Sequence, residues 1–369
     1  EETFSACLNH INGYRQTLYS RRGIDELELP CHNNRISRHS LETMFSVIRD
    51  FRPVLSRYLA AKAKHLGLAQ LSHYDLNVSL GKSSKRTSYA DAAKFVLEQF
   101  SGFSNELADF AKLAFERRWI EAEDRKGKAQ GGFCAPAPKS KESRVFLTFG
   151  GNARSTQTLA HELGHAYHNW VLRHEAPFNR SFPSTLAETA STFAESVVRE
   201  GALAACKSDD ERIGLLDRKL SDATSMLMNI PARFHFERAM YAARKERELT
   251  PAKLSELVVE AFDDAYNGQL ESHDAMFWAS KMHFYLSDWP FYNFPYVVGF
   301  LFSLGLYERA REVGPDFSAQ YDAFLRLTGS RTCEEVALES LGVDITKPDF
   351  WQSAMAGVER DVEAFEALI

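Results

Sequence analysis

Two histidines and a glutamate stand close together in TLAHELGHAYH, the run from Thr158 to His168. His161 and His165 are four residues apart, which on an α-helix is about 400° of rotation and 6 Å of rise, so both imidazoles leave one face. Neutral imidazole is a good zinc ligand, and two rings on one rigid helix are already aimed at one point. Glu162, turned by about 100° from His161, can lean over such an ion without binding it and take a proton from water activated there. The spacing therefore points to metal-assisted hydrolysis. The plainer alternative is a solvated polar face. It fits poorly, because Leu159, Leu163, Ala166 and Trp170 form an apolar stripe beside the motif, with Ala160 another small neighbour.

A hydrolytic zinc site takes three protein ligands and keeps one position open. The best third ligand lies in FPSTLAETASTFAESVVREG, which reads as a second helix capped by Ser184 and ended by Gly201. Glu188 falls in its first turns. Ser191, Thr192 and Glu195 share that face and can hydrogen-bond the ligands from behind. His168 lies on the metal face of the first helix, where packing is favoured over a supporting role.

The elements that must position these residues are mostly helical. Ser155 or Thr156 is the expected cap of the motif helix, which should run to about His174. Apolar positions at three- and four-residue spacing predict helices over 39–66, 88–123, 211–246 and 251–266, the last opening at Thr250-Pro251. Pro53 and Gly102 are expected to break or kink the first two. Residues 124–143 concentrate Gly, Pro, Lys and Ser and read as an irregular loop, either a linker or a cleft lining. RVFLTFG, from Arg144 to Gly150, reads as a strand. As an edge strand, Val145–Phe149 would pair with an extended peptide backbone.

Composition narrows the function classes. At 369 residues and 44% hydrophobic content, the chain can bury a core of one large unit or two lobes. A net charge of −6 argues against nucleic acid as a partner. No run approaches the roughly 18 apolar residues of a membrane span. The five cysteines are odd in number, scattered and without C-x-x-C, which argues against a disulfide framework and for a reducing cytoplasm. The start, EETFSACLNH, has neither a secretory pattern nor an initiator Met, as expected of a fragment or a processed product.

HELGH followed by LAETASTFAE resembles the M3 metallopeptidases, and specifically their oligoendopeptidase F branch. The resemblance extends upstream to GKAQGGFC. Downstream it covers FHFERAMYAARKERELTPAKL, FWASKMHFYLSDWPFYNFPYVVGFLFSLGLY and DFWQSAMAGVERDVEAFEALI, so it spans nearly the whole chain. It implies a mainly α, two-lobed helical metallopeptidase fold with a small β-sheet next to the zinc-binding helices. Within one catalytic domain it implies a helical lobe over 1–123, a cleft loop and strand over 124–150, and a zinc-binding and C-terminal part over 151–369. It further implies one Zn²⁺ per chain held by His161, His165 and Glu188, with Glu162 as general base in the cleavage of short peptides. His283, Tyr292 and Tyr296 match positions that relatives place around the scissile carbonyl, and Phe294 stands where some relatives carry another Tyr. Without the resemblance, FYNFPY reads as a buried aromatic cluster. Relatives usually carry a helical segment ahead of this chain's first residue, which again suggests a fragment.

Two other functions share these residues. A metallocarboxypeptidase uses the same chemistry but must grip a free carboxylate with a cation. A non-catalytic peptide-binding scaffold would be marked by loss of Glu162 or a ligand, and none is lost.

Overall fold

The computed structural model describes residues 1–81 and 86–369. Its helices, in chain order, are α1 (Glu2–Arg22), α2 (Glu28–Asn33), α3 (Arg38–His65), α4 (Tyr89–Phe103), α5 (Asn105–Glu116), α6 (Ala153–Leu172), α7 (Ser184–Ala204) and α8 (Asp209–Thr224). They continue with α9 (Ile230–Arg244), α10 (Pro251–Ala265), α11 (Phe277–Ser280), α12 (Phe294–Val313), α13 (Phe317–Leu327), α14 (Cys333–Leu341) and α15 (Pro348–Glu366). The strands are β1 (Ile120–Glu121), β2 (Gly132–Ala137) and β3 (Glu142–Leu147). The mainly α class and, among the described residues, one small sheet agree with the expectation. No helix among the described residues is long and apolar enough to cross a membrane.

The chain divides into two compact units, neither of them continuous in sequence. One gathers Glu1–Leu80, Leu216–Val297 and Val358–Ile369; the other gathers Gly81–Leu215 and Val298–Gly357. These units do not follow the expected divisions at 123 and 150. Residues 86–123 group with the motif helix, whereas 216–297 group with the chain's start.

In the first unit, Ser37 caps α3 by accepting from the Ser40 N–H. The helix then runs unbroken through Pro53. That proline is exposed, as is Arg49, so the Arg49 carbonyl that loses its donor can turn to water. The inner face of α3 buries Met44, Ile48, Leu55 and Leu59. Phe45 stacks on Phe234 of α9 at 4.4 Å. Lys62 is buried and ion-paired to Asp217 at 2.9 Å, and Asp217 also accepts from Tyr58 and from the Leu80 N–H. A buried charge is tolerated only when satisfied in this way. The predicted helix over 211–246 is interrupted by one π-helical turn, Ser225–Asn229. Pro231 follows it, with no N–H to offer the Leu227 carbonyl and a ring that needs room.

In the second unit, the break expected near Gly102 falls at Ser104. Its side chain accepts from the Leu107 N–H to start α5, while Gly102 stays inside α4. Residues 124–143 are not wholly irregular, because they supply β2. The strand order is β1-β3-β2, with β1 parallel and β2 antiparallel to β3. β3 is thus the central strand, and the expected edge strand at Val145–Phe149 is not one. The edge role passes to β2. Pro136, which cannot donate to a ladder, is compatible with that edge position. Val145 and Leu147 are buried on the face that packs against α6.

Candidate metal centre

Asn152 caps α6, its Oδ1 accepting from the Ser155 N–H at 2.9 Å. Ser155, an expected cap, instead accepts from the Gly150 N–H and so ties the incoming turn to the helix. Leu159, Ala160, Leu163 and Ala166 are all buried, and burial of that stripe fixes which way the histidines face. α7 begins after Pro183 without a side-chain cap, so Ser184 does not play the expected role. Nor does Gly201 end the helix, which continues to Ala204.

α6 and α7 pack side by side because Gly164 lets them. A Cβ built there would lie 2.5 Å from the Ala190 carbonyl oxygen and 2.6 Å from Ser191 Cα, both backbone atoms that cannot step aside. Gly299 of α12 allows a similar approach from another side, where a Cβ would sit 3.0 Å from Glu188 Cβ. Gly164→Ala is therefore expected to push α7 outward and lower metal affinity and turnover by about 100-fold, the loss that a misplacement near 1 Å can cause. Gly102→Ala is the control, since its Cβ would meet nothing within 4 Å and should leave both unchanged. Metal titration of the two variants checks this.

The result of that approach is a triangle of donor atoms. His161 Nε2 and His165 Nε2 are 3.1 Å apart, and Glu188 Oε2 lies 3.5 Å from the first and 3.6 Å from the second. Ligands at 2.0–2.1 Å from a tetrahedral zinc are separated by about 3.3–3.4 Å. The triangle has that size. His161 Nδ1 lies 2.5 Å from Glu195 Oε1, and the His165 ring hydrogen-bonds the Ala187 backbone. With those nitrogens donating, both Nε2 atoms present lone pairs toward a carboxylate oxygen. Three electron-rich atoms aimed at one spot repel one another unless a cation sits between them, so the residues fit a divalent ion.

The surroundings reinforce this. Burial disfavours a charged His161, yet the Glu195 hydrogen bond and the nearby Glu188 and Glu162 carboxylates outweigh it and hold the ring up at about 9. Burial, with charged His161 alongside, pushes His165 down to about 4. Without an ion the site thus takes up one positive charge as a proton on His161, and a metal ion at the triangle would replace that proton and free Nε2. Glu195, expected at most to support a ligand, is doubly held by His161 and by Arg199 Nη2 at 3.2 Å. Burial opposes its charge, but these partners keep its carboxyl below the usual range. Ser191 Oγ donates to Glu188 Oε2 at 3.1 Å, the supporting contact expected of it.

Glu162 is buried under β2. A Cβ on Gly132 would lie 2.7 Å from Glu162 Oε1, so a larger residue there would displace the carboxylate. Burial first, and the Glu188 and Glu195 charges after it, raise the Glu162 carboxyl to about 7 against the lowering effect of His161. Its Oε2 is buried without a hydrogen-bond partner. A buried carboxylate oxygen left unpaired is costly. His168 is a packing residue: it stacks on Phe182 at 3.9 Å and pairs with Thr328 Oγ1 at 2.8 Å.

His283, Tyr292 and Tyr296 come together in the first unit, while the metal-type residues lie in the second. His283 is in a short 3-10 turn, Met282–Tyr285, and Tyr296 is in the first turn of α12. The His283 ring lies edge-on to Tyr292 at 5.0 Å and parallel to Tyr296 at 6.2 Å. Sequence reasoning missed Asn293, buried between Tyr292 and Phe294, whose Oδ1 is 2.7 Å from His283 Nδ1 and accepts from Arg233 at 3.2 Å. The available signal was one amide inside an otherwise aromatic run.

Comparison with known proteins places this geometry. The model of peptidase family M3 matches residues 17–357. An oligoendopeptidase F homologue of Lactococcus lactis subsp. lactis is 29% identical over 91% of this chain and 56% of its own length. The oligopeptidase PepF of Bacillus subtilis is 25% identical over 93% of this chain and 51% of its own. The chain therefore spans about half the length of these curated relatives. Among solved structures, a Chlamydophila abortus protein described as a peptidase aligns with a TM-score of 0.88 at 23% identity, over all of this chain and 62% of that one. Oligoendopeptidase F of Enterococcus faecium aligns at 0.72 and 22%, over 99% of this chain and 60% of that one. Both structural matches speak to the fold.

Proposed function

The chain belongs to peptidase family M3, and on that premise we propose that it is a zinc-dependent endopeptidase of short peptides. His161, His165 and Glu188 hold one ion, and Glu162 is the general base. The observation that carries the reading is the donor triangle with the unpartnered Glu162 Oε2 on the same helix. The oligoendopeptidase names of the relatives support the choice of substrate.

When bound, zinc would supply Lewis acidity, polarising a carbonyl and making water more acidic. The protein's own residues do the rest. Glu162 accepts a proton from the attacking water as its oxygen adds to the scissile carbon, then returns it to the amide nitrogen as the C–N bond breaks. Glu195 and the Ala187 backbone hold the two imidazoles in the tautomer that leaves Nε2 unprotonated. β2, which among the described residues has no strand on its other side, offers a backbone edge for an extended peptide. Register fixed by backbone hydrogen bonds implies broad side-chain tolerance. The resemblance gives His283, Tyr292 and Tyr296 the scissile carbonyl, with either phenol a suitable donor to the oxyanion. The odd number and wide scatter of the five cysteines support a reducing cytoplasm as the place of work.

A metallocarboxypeptidase would use the same metal residues. The distinguishing experiment is metal analysis with mass mapping of cuts in paired peptides, one with a free C-terminus and one amidated. Equal internal cleavage of both, with about one zinc per chain, is expected. Release of only the last residue, and only from the free acid, would replace endopeptidase with carboxypeptidase.

A further inference from the structure

Asn293 fixes the chemical character of His283. Its Oδ1 receives two groups: Arg233 Nη1 at 3.2 Å and His283 Nδ1 at 2.7 Å. A guanidinium has only donors, so the amide atom facing it must be the oxygen, which removes the usual ambiguity of an asparagine flip. An amide oxygen carries no hydrogen. His283 Nδ1 must therefore carry one. A neutral imidazole has a single proton, which leaves Nε2 with a lone pair.

The rest of the cluster holds this arrangement in place. Asn293 is 1% exposed, and its Nδ2 is buried without a partner, so the side chain is held through its oxygen. Arg233 is fixed in turn by its Nε donating to Asn229 Oδ1 at 2.7 Å, and its guanidinium lies over the Phe277 ring. A second proton on His283 is disfavoured. Burial lowers its affinity for protons, the Asn293 hydrogen bond acts the other way, and Lys281 and Arg233 add to the lowering.

We propose that His283 meets substrate as a neutral ring protonated on Nδ1, so that its Nε2 accepts a hydrogen bond from a peptide N–H or the departing amine. Arg233 and Asn293 are the positioning residues that set this polarity. The proposal rests on the peptidase reading, and it gives His283 the opposite polarity to a donor at the oxyanion. A developing oxyanion needs donors, and in this cluster those are the phenols of Tyr292 and Tyr296. His283 then recognises the opposite end of the peptide bond, the nitrogen side.

Nitrogen-15 NMR of imidazole-labelled intact chain reads the tautomer without any assay. His283 signals are assigned by their absence in His283→Gln. The Nδ1–H pattern at neutral and mildly alkaline pH is expected, and an Nε2–H pattern overturns the proposal. Asn293→Asp keeps an acceptor and should keep the pattern, whereas Asn293→Leu removes it. Asn293→Leu should also lower kcat by about 10–100-fold, the usual cost of losing an orienting partner, with KM and zinc content little changed. An unaltered tautomer in Asn293→Leu would show that Asn293 does not set it. Normal kcat/KM in His283→Ala, with the Nδ1–H pattern intact in wild type, would remove His283 from the reaction. That failure is distinct from failure of the peptidase reading, which Tyr292→Phe and metal analysis test separately.

Discussion

Glu162→Gln, loaded with zinc, is expected to lose about 10²–10⁴-fold in kcat, the range that a positioned proton-transfer group contributes. The exchange keeps side-chain size and one hydrogen-bonding oxygen but cannot accept the proton of the attacking water. Glu162 is not one of the three donor atoms of the triangle, so metal content should stay at the wild-type level. Stability should hold or rise. The carboxylate is 4% exposed and its Oε2 has no partner, so a neutral amide removes a buried charge that no hydrogen bond at that oxygen compensates. Loss of activity with an unchanged or higher Tm is the signature of a residue kept for chemistry at a cost to stability. Three measurements check it: single-turnover kinetics, metal content and thermal unfolding. Near-wild-type turnover in the metal-loaded variant would show that another group takes the proton.

The second large effect separates two carboxylates that share a helix face. Glu188 Oε2 is within 3.6 Å of both Nε2 atoms, whereas Glu195 reaches only His161 Nδ1, behind the ring. Glu188→Ala should therefore weaken zinc binding by more than about 100-fold and abolish activity at ordinary zinc concentrations. Glu195→Ala should cost about 10–100-fold, the range for a partner that orients a ligand without touching the metal. Arg199, left beside His161 without the carboxylate between them, would add to that loss by opposing the positive charge of the bound ion. Competition with a chelator of known affinity gives both constants. If Glu195→Ala strips the metal and Glu188→Ala retains it, the ligand assignment must be reversed.

Much of the candidate site is written locally. The four-residue spacing of His161 and His165 puts them on one face of any helix, and the apolar stripe of Leu159, Leu163 and Ala166 says which face is buried. The second helix and its row of Glu188, Ser191 and Glu195 are visible for the same reason, since three- and four-residue periodicity is a property of one segment and needs no partner. Helix ends were less legible. Asn152 rather than Ser155 caps α6 because both types can accept the same bond, and only the path of the Gly150–Gly151 turn decides between them.

Other features exist only through contacts distant in sequence. β2 lies in a stretch whose composition reads as loop, because a strand is stabilised by its neighbour's hydrogen bonds and Phe133 finds its partner at Phe146. Pro53 breaks nothing because its side of α3 faces water. The orientation of Asn293 depends on Arg233, 60 residues earlier. The sequence by itself determined that two imidazoles and a glutamate share a helix and that an acidic helix follows it. Tertiary structure alone decided that Glu188 Oε2 arrives within 3.6 Å of both nitrogens. That distance is set by the rotation and closeness of α7 against α6, which depend on Gly164 giving way to Ala190 and Ser191 and on Gly299 giving way to Glu188, and no single segment encodes how near another will come.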